Sequence, residues 1–213
     1  MNFNIRKAVS ADIPFLTESV IEAEHAGTEI ISYCTLFNID KQKLVELIRR
    51  AFYNQVGVQV WDIDSWLVVE DHQGIPRAAL ASWIETPNSS TEMQKFQYLC
   101  YMLRPDFNNK ELKIKIQLLQ KVAIPRKIGA TQIDFVYTDK KYRGMGLMNI
   151  LLKHCILNNA KGSIQLQVLS KNFTAMNLYE KMGFKEETRL TCEGLEAQKL
   201  LADDTKICMT YYE

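Results

Sequence analysis

A turn with two glycines constrains this chain more than any other feature. It has the sequence Arg143-Gly144-Met145-Gly146 and follows Ile133 to Thr138, a β-branched and aromatic run that predicts a strand. The apolar spacing after the turn predicts a helix. Glycine at such a junction permits positive φ and lets a ligand approach the main chain. Because the first N–H groups of a helix have no internal acceptor, the turn is suited to binding a pyrophosphate or another anion.

Two common phosphate-binding patterns do not fit this turn. A P-loop requires G-x-x-x-x-G-K-[ST], and that string occurs nowhere in the sequence. A dinucleotide-binding Rossmann turn requires a third glycine, but the chain has Asn149 at that position. The turn alone therefore leaves two alternatives open, an anion site and a plain connection between a strand and a helix.

A second pattern follows downstream of the turn. The spacing N-x-x-A-x-x-L-Y-x-x-x-G-F is formed by Asn172, Ala175, Leu178, Tyr179, Gly183 and Phe184. Together with the upstream Y-R-G-x-G, it resembles the Gcn5-related N-acetyltransferase (GNAT) family. The resemblance implies an α/β fold with a GNAT-type mixed, mostly antiparallel twisted sheet flanked by helices. It is strong over residues 133–184, and the order of the flanking elements agrees over most of the chain.

The resemblance also implies acetyl-coenzyme A as co-substrate. In the family, an R-x-x-G-x-G/A loop holds the pyrophosphate, and the strand before the loop offers backbone groups to the pantetheine arm. The cofactor-binding residues expected here are Val136, Tyr137, Thr138, Arg143, Gly144, Met145, Gly146, Leu147, Met148, Asn149, Asn172 and Tyr179. Met148 departs from the family, which has a small residue there. Its side chain either crowds the phosphates or points into the sheet.

The resemblance assigns the general acid to Tyr179, which would give its phenolic proton to the departing thiolate. A thiol pKa of ~8.5 and a phenol pKa of ~10 make that transfer reasonable. The alternative for Tyr179 is an ordinary half-buried helix tyrosine. The general base is less evident, because Gln165 and Gln167 occupy a strand where some family members have a carboxylate. Glu85, at the end of the third strand, is the tentative base, and Asp134 is a further candidate.

The N-terminal part predicts the elements that precede this region. Ser10 is expected to cap a first helix from about Ala11, and Asp40 a second helix through about Tyr53. The first helix bears acidic groups and a histidine that are candidates for an acceptor pocket, namely Glu18, Glu22, Glu24 and His25. A hairpin is predicted from Trp66–Glu70 and from Ala78 to Ile84.

A long insertion separates the third and fourth strands. It spans about residues 86–130, and helical spacing predicts two helices in it, separated near Pro105. One use of the insertion is extra packing or a homodimer surface; the other is a lid or wall over the acceptor site. Residues 1–213 are otherwise expected to form a single domain.

Composition argues against several classes of protein. The net charge of +1 gives no electrostatic basis for binding nucleic acid. No apolar run approaches the roughly 18 residues of a membrane span. The five cysteines are scattered and form neither a C-x-x-C pair nor a zinc spacing, so we expect reduced thiols, no metal and a cytoplasmic protein.

The sequence therefore predicts an acyltransferase. An acetyl group would move from acetyl-coenzyme A to a small-molecule amine or a peptide acceptor by direct attack in a ternary complex. The alternative is a non-catalytic acyl-coenzyme A sensor, or a protein-interaction module, on the same fold. A small amine, an antibiotic, an amino acid and a protein N-terminus all stay open as acceptors.

Overall fold

Seven strands form one sheet in the computed structural model, which describes residues 3–25, 27–87, 91–158 and 162–212. The strands are β1 (Asn4–Lys7), β2 (Trp66–Glu70), β3 (Pro76–Ile84), β4 (Thr131–Thr138), β5 (Ile164–Leu169), β6 (Lys185–Thr191) and β7 (Thr205–Tyr211). The helices are α1 (Ile13–His25), α2 (Ser32–Phe37), α3 (Lys41–Asn54), α4 (Thr91–Leu103), α5 (Lys110–Lys121), α6 (Leu147–Asn158), α7 (Phe173–Lys181) and α8 (Leu195–Leu200).

The sheet has the order β1-β2-β3-β4-β5-β7-β6. Its neighbouring strands are antiparallel except β4 and β5, which are parallel. This parallel pairing is short, because it joins only Thr131–Ile133 to Ile164–Leu166. The predicted fold class, a mixed and mostly antiparallel sheet flanked by helices, is confirmed.

Helices cover both faces of the sheet. Successive strand residues point to opposite faces, so Val68 packs with α1, α3 and α4, while its neighbour Val69 packs with α6 and α7. The first layer holds the large buried side chains Phe52, Trp61 and Trp66. The sheet is therefore buried between two apolar layers, and the short β4–β5 pairing lies at its centre.

Local predictions near the N-terminus are partly right. The Asp40 carboxylate accepts a hydrogen bond from the Lys43 N–H at 2.6 Å and caps α3 as expected. The predicted Ser10 cap is wrong. Residues Ser10–Asp12 form a 3₁₀ turn, in which Asp12 accepts from the Val9 N–H at 2.9 Å, and α1 begins at Ile13. The sequence also gave no indication of α2 and β6.

The insertion contains the two predicted helices, α4 and α5. A small apolar cluster joins Leu118 and Val122, at the end of α5, to Ala197 and Leu201 around α8. The insertion thus packs against the C-terminal part of the chain. Among the described residues, no helix combines the length and the apolar character needed to cross a bilayer.

Candidate active site

The strands β4 and β5 separate at a bulge in β4. The register between β3 and β4 shifts between Ala79 and Ala81, opposite Phe135, which has a φ of 50°. Such a φ is costly for a bulky residue and persists only where its surroundings hold it. Here the Phe135 N–H donates to its neighbour Asp134 at 3.0 Å, and its ring stacks on Trp66 at 6.1 Å between centroids. The bulge coincides with the end of β4–β5 pairing, where an opening begins.

A cavity of about 530 Å³ extends from this opening. Its lining comes in part from the sheet, namely from β4, β5 and β7. The rest comes from α1, α2, α7 and the region around α8, and from the insertion, whose Phe96, Ile116 and Leu119 line it. The insertion is therefore one wall of the cavity, and a volume of this size is typical of small-molecule sites.

The glycine turn lies beyond the end of β4. Gly144 has a φ of 79° and Gly146 a φ of 77°, and a β-carbon at either would meet no atom within 4 Å. The helix α6 starts at Leu147, and the N–H of Ile150 donates to the Gly146 carbonyl. The N–H groups of the first turn precede that bond and have no acceptor within the helix. The turn thus presents open main chain and free donors, which suits an anion.

Met148 lies on the buried side of α6. Its side chain is 8% exposed and packs in the core with Leu151 and Leu152. Of the two orientations left open by the sequence, the structure has the one that points into the sheet. Met148 therefore leaves the surface of the glycine turn uncovered.

Arg77 anchors the turn from β3. Its guanidinium pairs with Asp71 at 2.7 Å and with Asp139 at 3.5 Å, and lies 4.5 Å from the ring centroid of Tyr142. Both Asp139 and Tyr142 belong to the segment that leads into the glycines. Sequence reasoning missed Arg77, because an isolated arginine at the start of a strand belongs to no motif.

Tyr179 lines the cavity from α7. Its side chain is 5% exposed, and its ring packs beside Phe184 at 6.1 Å between centroids. Within the described residues, its hydroxyl has no hydrogen-bond partner. Burial, with a smaller contribution from the Asp134 carboxylate, raises the pKa of Tyr179 above its ordinary value. The phenol therefore holds its proton more tightly than an ordinary tyrosine, and that hydrogen has no acceptor among the described residues.

Asn172 caps α7 and also lines the cavity. Its side-chain oxygen accepts from the Ala175 N–H at 3.2 Å, which leaves its amide NH₂ available to a ligand. The turn before it is held by the buried Asp203, which accepts from the Ser170 hydroxyl at 2.9 Å and from the Lys171 N–H at 2.8 Å.

Four charged side chains form a compact network in the cavity wall. The Arg126 guanidinium contacts Asp134 at 2.6 Å and Glu92 at 2.9 Å, while the Lys95 ammonium lies 2.9 Å from Glu92 and 4.0 Å from Asp134. Although burial opposes the shift, Lys95 and Arg126 hold the pKa of Glu92 well below its usual range. Asp134 is therefore engaged by two buried cations. The sequence offered no indication of either cation, because both lie in the insertion, outside any motif.

The acidic residues considered for the general base and the acceptor pocket have different positions and partners in the structure. Glu85 is buried, accepts from the Trp83 indole N–H at 3.0 Å, and is absent from the cavity lining in the described part of the chain. On α1, Glu18 accepts from the Tyr137 hydroxyl at 2.8 Å, and Glu22 pairs with Lys41 and Lys140 at 3.4 and 3.5 Å.

Glu24 differs from these acids. It lines the cavity, is only half-buried as a residue, and makes no hydrogen bond or ion pair to another described side chain. Enclosure by the cavity wall raises the pKa of Glu24, although the charge of Lys95 opposes the shift. A carboxylate with these properties is suited to accept a proton. The described ranges contain no group of three or more His, Cys, Asp or Glu side chains placed to hold a metal ion.

Comparisons with known proteins agree with this geometry. The model of the Acetyltransferase (GNAT) family matches residues 119–184, which include β4, the glycine turn, β5 and Tyr179. No curated protein matches the chain.

Solved structures show the same fold. An N-acetyltransferase from Staphylococcus aureus Mu50 has a TM-score of 0.64 at 17% identity, over 98% of this chain and 100% of that one. A histone acetyltransferase HPA2 and related acetyltransferase from Corynebacterium glutamicum ATCC 13032 has a TM-score of 0.61 at 17% identity, over 99% of this chain and 96% of that one. An agmatine N-acetyltransferase has a TM-score of 0.58 at 12% identity, over the full length of both chains. The resemblance to the GNAT family is thus confirmed in sequence motif and in fold.

Proposed function

We propose that this chain, with its GNAT motif and GNAT fold, is an N-acetyltransferase that uses acetyl-coenzyme A and an amine acceptor. One observation carries the proposal. The Tyr179 hydroxyl, buried and without a partner in the described structure, faces a cavity that opens where β4 leaves β5. A protonated phenol in that position is suited to supply a proton to a leaving thiolate.

The residues around the opening fit acetyl-coenzyme A. The glycine turn offers free N–H donors for the pyrophosphate, and the Asn172 amide offers a further donor on the cavity side. Beyond Ile133, the described part of β4 does not pair with β5, so main-chain groups of Val136 and Tyr137 on that edge would align a pantetheine arm. The Thr138 carbonyl accepts from the Arg143 side chain at 3.3 Å, which ties the end of β4 to the glycine turn. When bound, acetyl-coenzyme A supplies an activated acetyl thioester.

Two side chains would move the protons. Glu24 takes the place we had expected for Glu85, because it lines the cavity without a partner, and it accepts a proton from the acceptor ammonium. Tyr179 donates to the departing sulfur. A strand N–H aimed at the thioester carbonyl stabilises the negative charge that develops there, by about 3 kcal/mol for one donor.

Calorimetric titration of acetyl-coenzyme A and coenzyme A into three proteins tests the cofactor assignment. Wild type is expected to bind, and Gly146→Glu is expected to lose binding because it places a bulky anion in the phosphate site. Gly57→Glu is the matched control. Gly57 has a φ of 74°, has the same open surroundings and lies outside the turn and the cavity lining. Equal loss in both variants, or no binding by wild type, would overturn the assignment.

The sensor alternative predicts cofactor binding without turnover. Crowding of the phosphates by Met148 would favour the sensor, but this side chain packs in the core. Release of coenzyme A thiol in the presence of amine acceptors distinguishes the two functions. An interaction module, by contrast, predicts no coenzyme A binding at all.

A further inference from the structure

Among the described residues, seven charged side chains line the cavity, and most of them neutralise one another. Glu92, Lys95, Arg126 and Asp134 form the compact network described above. Asp203 pairs with Lys171 at 3.5 Å and accepts three further hydrogen bonds from nearby groups of the chain. Glu24 and Lys206 are the two that remain.

Glu24 and Lys206 have no hydrogen-bond or ion-pair partner among the described side chains. They stand on the two sides of the opening. Glu24 belongs to α1, which packs on β4, while Lys206 lies on β7 beside Leu169 of β5. Burial raises the pKa of Glu24, and the charges of Lys95 and Lys206 oppose that shift. Although burial opposes the shift of Glu92, Lys206 also helps Lys95 and Arg126 to lower the pKa of that carboxyl. Lys206 is therefore within electrostatic range of both carboxylates. Among the described side chains that line it, the cavity thus presents one carboxylate and one ammonium without a hydrogen-bond or ion-pair partner.

Much of the rest of the cavity lining is apolar. Side chains from α4, α5 and the α8 region line it, namely Met93, Phe96, Ile116, Leu119 and Leu201. Such a surface favours a hydrocarbon or aromatic group over a polar one.

We propose that the acceptor is a free amino acid with an apolar side chain. The inference rests on the proposed function and names its acceptor class. The α-amino group lies at Glu24, the carboxylate pairs with Lys206, and the side chain packs on the apolar wall. A charge that loses water without gaining a partner is unfavourable. An amino acid supplies a partner to both free charges, whereas a simple amine leaves Lys206 without one.

The reaction balances with these groups. The ammonium of the amino acid loses a proton to Glu24, and the nitrogen forms a bond to the acetyl carbon as the carbon–sulfur bond breaks. The sulfur takes the Tyr179 proton, and the proton that the acylated nitrogen must still lose goes to the Tyr179 phenolate. The products are the N-acetyl amino acid, coenzyme A thiol and one proton, which Glu24 releases to solvent.

Matched acceptor pairs test the proposal. Leucine, methionine, phenylalanine and tryptophan are each compared with the amine that lacks only the carboxylate, and thiol release gives kcat/KM for both members. At least one amino acid is expected to exceed its amine by about tenfold or more, a factor equivalent to 1.4 kcal/mol. If every amine equals or exceeds its amino acid, the proposal is wrong.

Two lysine variants locate the carboxylate. Lys206→Gln is expected to bring the amino acid to amine ratio close to 1, while Lys185→Gln, on an exposed position of β6, keeps the wild-type ratio. Calorimetric binding of the amino acid to protein saturated with coenzyme A gives a second readout that needs no turnover. A ratio unchanged in Lys206→Gln would refute the role of Lys206.

The titration of acetyl-coenzyme A separates the two levels of failure. If wild type binds acetyl-coenzyme A but prefers no amino acid, the acceptor inference alone fails. If wild type binds neither acetyl-coenzyme A nor any amino acid of the panel, the proposed function and the inference fail together.

Discussion

Tyr179→Phe is expected to separate activity from stability. The substitution removes one oxygen and keeps the ring that packs beside Phe184. Because the hydroxyl has no hydrogen-bond partner in the described structure, no protein donor or acceptor is left unsatisfied. The free energy of unfolding should therefore stay within about 1 kcal/mol of wild type, equivalent to a Tm change of about 2–4 °C at most for a chain of this size. Loss of the general acid should lower kcat by about 10²–10⁴-fold.

Tyr98→Phe is the matched control and should show the opposite pattern. The Tyr98 hydroxyl donates to the Leu47 carbonyl at 3.1 Å, and Tyr98 is not part of the cavity lining in the described ranges. Its loss should cost about 0.5–1.5 kcal/mol of unfolding free energy and leave kcat near wild type. Urea unfolding and thiol-release kinetics on the same preparations measure both quantities. Unchanged kcat in Tyr179→Phe, or a stability loss above about 2 kcal/mol, would refute the assignment of a free catalytic hydroxyl.

Three further outcomes follow from the charged groups. A base must be deprotonated to act, so the raised pKa of Glu24 means that kcat/KM should begin to fall at a pH above the ordinary glutamate range. Glu24→Gln should have a lower kcat/KM, and its pH–rate profile should no longer show this fall in acid. Arg126→Met should lower the unfolding free energy by about 3–5 kcal/mol in urea, because it leaves the Asp134 and Glu92 carboxylates with Lys95 as their single buried cation in the described network; a loss below about 1 kcal/mol would contradict this. Burial of Asp203 opposes its ionisation, but the backbone N–H groups and the hydroxyl that it accepts outweigh this and lower its pKa. Its stabilising effect is therefore fully present above the ordinary aspartate pKa and is lost as the pH falls through the lowered pKa of the folded state. The difference in unfolding free energy between wild type and Asp203→Asn should therefore become smaller in acid, when urea unfolding is measured across pH.

The sequence predicted the central region well because its determinants are local. Positive φ at Gly144 and Gly146 depends on the residue itself, and apolar spacing shows where α6 and α7 form. The same holds for the Asp40 cap, which acts within one helical turn. The strand β6 was missed, since all but one of its residues are exposed and it gives no apolar alternation.

The roles of the residues at the cavity could be assigned only from contacts between elements that are far apart in the sequence. Glu18, Glu22 and Glu24 are equivalent in sequence. Contacts with Tyr137, Lys41 and Lys140 engage the first two, and Glu24 alone of the three has no partner among the described side chains. Glu85 and Asp134 are likewise distinguished by their contacts, because Glu85 accepts from the Trp83 indole N–H and Asp134 pairs with Arg126.

By itself, the sequence determined the strand–glycine–helix unit, the motif with Tyr179 and the mixed α/β fold. The tertiary structure alone decided the direction of Met148, the anchoring of the turn by Arg77, and the free charges Glu24 and Lys206. The physical reason is that backbone conformation depends on neighbours within a few residues, whereas the pairing and burial of a charge depend on groups that the fold brings together from distant parts of the chain.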